Sequence, residues 1–263
     1  MREAVIISTA RTPIGKAYRG AFNDTSAQAL GGHVLSKAIE KAGVDSSEID
    51  DVVIGNALTQ GSSGTNIARQ SIIISNLSTS IPGMTIDRQC ASGMMAIAAA
   101  AKEIIVDGMN ITVGGGLESI SLVQNENANQ FRAFDPLIMK NMPSLYMTMI
   151  ETAEIVSERY KITREQQDEY ALQSQKRTHD AQINGRFDNE IIPLESIMKK
   201  IDKETKEISE IKMGLSKDEG NRADTTLEGL SSLKPVFKDG QRIKEGKFIT
   251  AGNASQLSDG ASA

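Results

Sequence analysis

Cys90 is the one cysteine among 263 residues, and its place in the chain suits a nucleophile. The extended run Thr85-Ile86-Asp87 leads into it, and the sequence predicts a helix that starts near Ser92. A sulfur at that junction lies at the positive end of a helix dipole, where a thiolate is favoured. Ala91, Ser92 and Gly93 are small, so they permit close packing and leave room for a substrate. Strand-to-helix turns present nucleophiles in this manner elsewhere. On spacing alone a second reading stays open, because buried cysteines commonly fill space and no base lies nearby in sequence.

Other chemistries find little support. There is no GxxxxGK[ST] and no HExxH, and Gly114, Gly115 and Gly116 lack the further glycine of a dinucleotide fingerprint. His33 and His179 lie far apart and read as ordinary helical histidines. A single cysteine excludes an internal disulfide and a cysteine-built zinc site, so no metal is expected, and it fits a reducing, cytoplasmic setting. With 29 basic and 34 acidic residues the formal charge is −5, which argues against a nucleic-acid surface. A content of 39% hydrophobic and 24% charged residues is that of a soluble globular protein. The apolar run Ala4-Val5-Ile6-Ile7 is too short for a secretory leader, and no uninterrupted apolar stretch nears the ~18 residues that span a bilayer, so no membrane partner is expected.

The elements that must hold Cys90 alternate regularly. Ala4–Ser8 reads as a strand, Ser26–Ala42 as a helix, Val52-Val53-Ile54 as a strand, Gly64–Ser75 as a helix, Met84–Asp87 as a strand and Ser92–Asp107 as a helix. Ile111-Thr112-Val113 reads as a strand ending in three glycines. This order predicts an α/β fold with a parallel or mixed sheet covered by helices. The helix Gly93–Val106 is apolar on nearly every side, which predicts burial between layers. Beyond Gly116 the texture turns polar, with a highly charged helix at Arg164–Ala181, until Lys247-Phe248-Ile249-Thr250 becomes apolar and extended again. The expected division is therefore 1–116, an inserted subdomain at 117–248, and a return strand of the first domain at 249–263.

The stretch Asp87-Arg88-Gln89-Cys90-Ala91-Ser92-Gly93 is similar to the active-site segment of the thiolase family, the acetyl-CoA acetyltransferases and 3-ketoacyl-CoA thiolases. Arg11-Thr12-Pro13-Ile14-Gly15, Gly55-Asn56, Gly115-Gly116-Leu117-Glu118-Ser119, Thr152-Ala153-Glu154, Gly185-Arg186-Phe187, Leu233-Lys234-Pro235 and Asp259-Gly260-Ala261 agree with the family in the same order. The resemblance implies a layered α-β-α fold, one half of a thiolase, whose inserted, mostly helical loop domain binds CoA and makes oligomer contacts. It also implies that Cys90 attacks an acyl-CoA or 3-ketoacyl-CoA carbonyl to give an acyl-cysteine, with its own N–H helping to hold the oxyanion. Arg222 is then expected near the nucleotide end of CoA, Val236 and Phe237 near its adenine and pantetheine, and Ala251 and Ser255 along the pantetheine arm. CoA and acyl-CoA are substrates in this reading, and no permanently bound cofactor is expected.

Two departures qualify the expectation. Where biosynthetic thiolases carry His-Met-Gly before Thr-Ala-Glu, this chain has Thr148-Met149-Ile150-Glu151, so the acyl preference is open. The family's second half supplies an Asn-containing motif, a Gly-His-Pro base and a second cysteine, and none of these occurs here. A truncated product or one part of a split enzyme is expected, a poor acyl acceptor alone, with an exposed sheet edge and an uncovered helix face. A homo-oligomer, dimer or tetramer, or a companion chain carrying the C-terminal half are the partners expected. The rival readings are a thiolase-like protein that binds CoA esters without turnover, and an inactive fragment.

Overall fold

The computed structural model describes residues 2–202 and 204–263. In chain order its elements are β1 (Gly15–Lys16), α1 (Ala27–Ala42), β2 (Asp51–Gly55), α2 (Ile67–Ile74), β3 (Gly83–Ile86), α3 (Ser92–Lys102), β4 (Thr112–Ser119), α4 (Ile120–Val123), α5 (Pro136–Asn141), α6 (Met149–Tyr160), α7 (Arg164–Ile183), β5 (Leu194–Ile201), β6 (Ile208–Leu215), α8 (Leu227–Ser231) and β7 (Ser258–Ser262). They form two compact units. The first comprises the chain up to Asn129, Asp188–Gly220 and Leu257–Ala263; the second comprises Gln130–Phe187 and Asn221–Gln256.

In the first unit a five-stranded mixed sheet has the order β1-β7-β4-β2-β3. β2 runs parallel to both β3 and β4, while β7 runs antiparallel to β4 and β1. The period-two alternation of β2 sends Val52 and Ile54 into one core with Leu30, Val34 and Leu35 of α1 and Ile67, Ala68 and Ile72 of α2. Val53 points the other way, against Ala96 and Ala100 of α3. The sheet thus lies between α1 and α2 on one face and α3 on the other. Ser26 opens α1 by accepting the Ala29 N–H, and Gly43, at φ +68°, ends it in the left-handed conformation that glycine adopts without a Cβ clash.

Glycines bring α3 onto the sheet. A Cβ on Gly55 would stand 2.2 Å from the Ser92 carbonyl carbon, and one on Gly114 would stand 2.7 Å from the Ile97 Cα. A Cβ on Gly116 would stand 3.1 Å from the Gly93 Cα. Helix backbone therefore meets strand backbone with no side chain between them.

Several expectations change. β4 runs through Gly114-Gly115-Gly116 to Ser119, so the glycines are the strand's contact face and not its end, and no boundary falls at 116/117. Segment 188–220, expected inside the inserted domain, belongs to the first unit and carries the β5–β6 hairpin. Lys247–Thr250 belongs to the second unit, and the return strand begins at Ser258. Ala4–Ser8 is not a strand; Val5, Ile6 and Ile7 are 71%, 78% and 64% exposed, since no described strand lies alongside them. These residues instead flank an apolar cleft of about 530 Å³ lined by Val5, Ile7, Ile97 and Ile104, which holds no cysteine or histidine.

The apolar helix is covered on one side only, because the sheet covers a single face. Met94, Ile97 and Val106 are exposed, and the last turns, Glu103–Asp107, widen into a π-helix. Length and composition alone would let Gln89–Asp107 cross a bilayer; in the fold its Ala96 and Ala100 pack on the sheet. The Gly55→Ala substitution should lower the unfolding free energy measured by urea titration by at least the roughly 1–3 kcal/mol typical of an overpacked core, seen as a lower midpoint. Gly214→Ala, where a Cβ meets nothing within 4 Å, should leave it almost unchanged.

Candidate active site

Five residues join β3 to α3, and Cys90 stands among them, exposed to solvent. The turn is latched by three hydrogen bonds from two side chains. Asp87 accepts the Gln89 N–H at 2.7 Å, the Ser92 hydroxyl donates to the Gln89 carbonyl at 2.6 Å, and the same hydroxyl accepts the Arg88 N–H at 2.8 Å. Ser92 is 3% exposed, so its hydroxyl acts out of reach of water. Gln89 takes φ +49°, a left-handed conformation that costs a side-chain-bearing residue roughly 1–2 kcal/mol and is held by these bonds. The result is a sharp turn that projects the next residue, Cys90, at the start of a helix, as the sequence predicts. Among the described residues no hydrogen bond occupies the Cys90 thiol or its N–H.

Cys90 lines a pocket of about 310 Å³ together with Gln89, Gly93, Asn56, Glu118 and Arg11. Asn56 follows β2 and is 1% exposed; its amide donates to the Leu117 carbonyl at 3.1 Å and to Glu118 at 2.8 Å. Glu118 also accepts the N–H groups of Ala57 at 3.0 Å and Leu58 at 3.2 Å, and so fixes the chain that leaves β2. Arg11 binds Glu190 at 2.7 Å and forks onto Asp218 at 2.7 and 3.1 Å, which ties segment 188–220 to the rim of the pocket. Sequence reasoning placed Arg11, Asn56 and Glu118 inside family-like motifs and gave them no role. For Asn56 the available signal was a polar residue directly after the apolar run Val52-Val53-Ile54-Gly55, where a buried polar group needs a partner.

Burial pushes the Glu118 carboxyl above its ordinary range, and the charge of Asp87 adds to this against the pull of the three N–H donors. A carboxyl raised in the folded state binds its proton more tightly there than in the unfolded chain. Its contribution to stability is present below the unfolded value of about 4.3 and is lost as pH rises through the folded value. Urea unfolding of Glu118→Gln beside the unaltered chain should therefore show the variant gaining relative stability between pH 4.5 and 7.5; a difference that stays flat would refute the assignment.

The five residues expected to meet CoA all fall in the second unit. Arg222 is exposed and held through its N–H by Gln175 at 2.8 Å. Val236 is half-exposed, and Ala251 and Ser255 are exposed on the chain that follows. Phe237 is 8% exposed, its ring packed within a tight hairpin against Gly240, so it shapes that hairpin and offers no open face for stacking. Neither histidine joins the site: His33 lies on α1 with its ring 3.4 Å from the Ile192 carbonyl, and His179 lies on α7. Among the described residues no group of His, Cys, Asp and Glu could hold a metal.

Comparison with known proteins gives the family. The sequence pattern of the thiolase N-terminal domain matches residues 4–263. A 3-ketoacyl-CoA thiolase of Bacillus subtilis is 36% identical over 264 residues, covering 100% of this chain and 65% of that protein. An acetyl-CoA acetyltransferase of Cupriavidus necator is 37% identical, covering 100% and 65%, and the peroxisomal 3-ketoacyl-CoA thiolase B of mouse is 36% identical, covering 99% and 58%. The chain spans less than two thirds of the length of these curated relatives. The latched cysteine turn thus stands in a chain that, by its match to the N-terminal domain, belongs to the thiolase family.

Proposed function

We propose that this chain carries the acyl-accepting part of a thiolase, an acyl-CoA C-acyltransferase that forms or cleaves 3-ketoacyl-CoA. The supporting observation is the exposed Cys90 at a latched turn on a helix start. With acyl-CoA as donor, the Cys90 sulfur bonds to the thioester carbonyl carbon, the carbonyl π-pair moves to oxygen, and collapse expels CoA thiolate, leaving an acyl-cysteine. The Cys90 N–H is free to donate to the oxyanion at the N-terminus of α3. In the cleavage direction the same attack on the ketone carbon of 3-ketoacyl-CoA breaks the carbon–carbon bond, and the departing acetyl-CoA carbanion takes a proton.

Both directions need a group that takes the thiol proton and one that exchanges a proton with carbon. The family resemblance places these groups in its second half, on a partner segment. The proposed partners are a companion segment bearing these groups and further copies of the chain, as a dimer or tetramer. Arg222, Val236, Ala251 and Ser255 are proposed to receive CoA, with Phe237 supporting Val236 from beneath. A role in fatty-acid β-oxidation and a cytoplasmic location complete the reading, the latter on the single reduced cysteine.

With the proposed companion segment supplied, exposure to radiolabelled acetyl-CoA or acetoacetyl-CoA should place label on Cys90, and Cys90→Ala should abolish it. Saturable CoA binding with no label would favour a binding protein without turnover, and neither label nor binding would end the proposal.

A further inference from the structure

Helix α6 of the second unit buries two carboxylates; among the described residues neither forms an ion pair, although the charge of Lys244 favours the ionised Glu151. Glu151 and Glu154, one helical turn apart, are 1% and 2% exposed. Glu151 accepts the N–H groups of Gln241 at 3.0 Å, Arg242 at 2.5 Å and Ile243 at 2.9 Å. Glu154 accepts those of Lys247 at 2.9 Å, Phe248 at 3.1 Å and Ile249 at 2.8 Å. Two runs of three amides, 241–243 and 247–249, are thus each taken by one acceptor-only group. They belong to one tight hairpin, closed by Val236 N–H to the Ile249 carbonyl at 3.0 Å and by Gly246 N–H to the Phe237 carbonyl at 2.9 Å. The hairpin backbone rests on the carboxylates themselves. A Cβ on Gly240 would stand 2.5 Å from the Glu151 carboxyl carbon, and one on Gly246 would stand 2.8 Å from a Glu154 oxygen.

The clamp grips the hairpin that exposes Val236 and continues through Thr250 into Ala251 and Ser255. We propose that Glu151 and Glu154 are positioning residues for the CoA moiety, holding the hairpin 236–250 in the shape that receives it. This rests on the proposed CoA site in the second unit. Replacing either carboxylate by an amide turns one acceptor into a donor facing backbone N–H groups, which loosens the hairpin and leaves the Cys90 turn of the first unit untouched.

The test uses the intact chain, Glu151→Gln, Glu154→Gln and the carboxylate-retaining Glu154→Asp. CoA affinity is measured by calorimetry, hydrogen exchange by mass spectrometry, and Cys90 reactivity by iodoacetamide alkylation. The glutamine variants should bind CoA about tenfold or more weakly, as expected when charge-assisted bonds are lost. Exchange protection should fall over 236–250 alone, the alkylation rate should stay within about twofold, and Glu154→Asp should recover part of the affinity. Unchanged CoA affinity in the glutamine variants overturns the positioning role and leaves the CoA site standing. Loss of protection throughout α7 reduces the pair to a general structural role and overturns it too. Failure of the unaltered chain to bind CoA removes the site on which the proposal rests.

Discussion

The start of α3 lies directly on strand backbone, and the rest of the site follows from that contact. Ser92 and Gly93 sit where a Cβ on Gly55 or Gly116 would intrude, and Ile97 sits where one on Gly114 would. With the helix seated this closely, the chain leaving β3 has five residues in which to reverse into it. Gln89 accepts a left-handed φ for that purpose, and Ser92 and Asp87 hold it there. Cys90 is then at the crest, exposed together with Gln89 and Ala91, while Ser92 behind it is buried. Placing a nucleophile in this way costs strain and glycine entropy, which the packing of Ala96 and Ala100 against Val53 offsets.

Buried carboxylates hold the loops of both units, and the balance of forces differs between them. Around Glu118, burial outweighs the donors from Asn56, Ala57 and Leu58, and the carboxyl moves upward. Around Glu151 burial also opposes charge, but the N–H groups of Arg242, Ile243 and Gln241 together overcome it and hold the carboxyl below its usual range. In both cases the acid supplies acceptors to a turn whose own amides have no ladder to join. The same logic applies to Asp259 on β7, fully buried, which accepts both the N–H and the hydroxyl of Ser121.

Much of the first unit was legible because its physics is local and periodic. Ser26 as a cap, the apolar spacing of α1, the short run Val52-Val53-Ile54 and the junction at Cys90 each state their structure within a few residues. The glycines at 114–116 misled because a glycine cluster reads as an ending, whereas here the missing Cβ atoms are the contact surface. Ala4–Ser8 has strand composition, but a strand is made by its neighbour, and no described strand lies beside it. The return of 188–220 to the first unit depends on Arg11 meeting Glu190 and Asp218, about 180 and 207 positions away, which no window of sequence displays. Phe237 illustrates the same limit: its family-like position was visible, and its burial beneath a hairpin was not.

The central claim is that backbone-on-backbone packing holds Cys90 where an acyl group can reach it. Gly116→Ala probes this most directly, since its Cβ would stand 3.1 Å from the Gly93 Cα, close enough to shift the helix start and distant enough to spare the fold. With the proposed companion segment supplied, acylation of Cys90 by acetyl-CoA, followed by mass spectrometry, should slow by about tenfold or more in this variant while its circular dichroism is unchanged, because small displacements of a nucleophile are costly. Equal rates in the two proteins, or no acylation of Cys90 in either, would contradict the account.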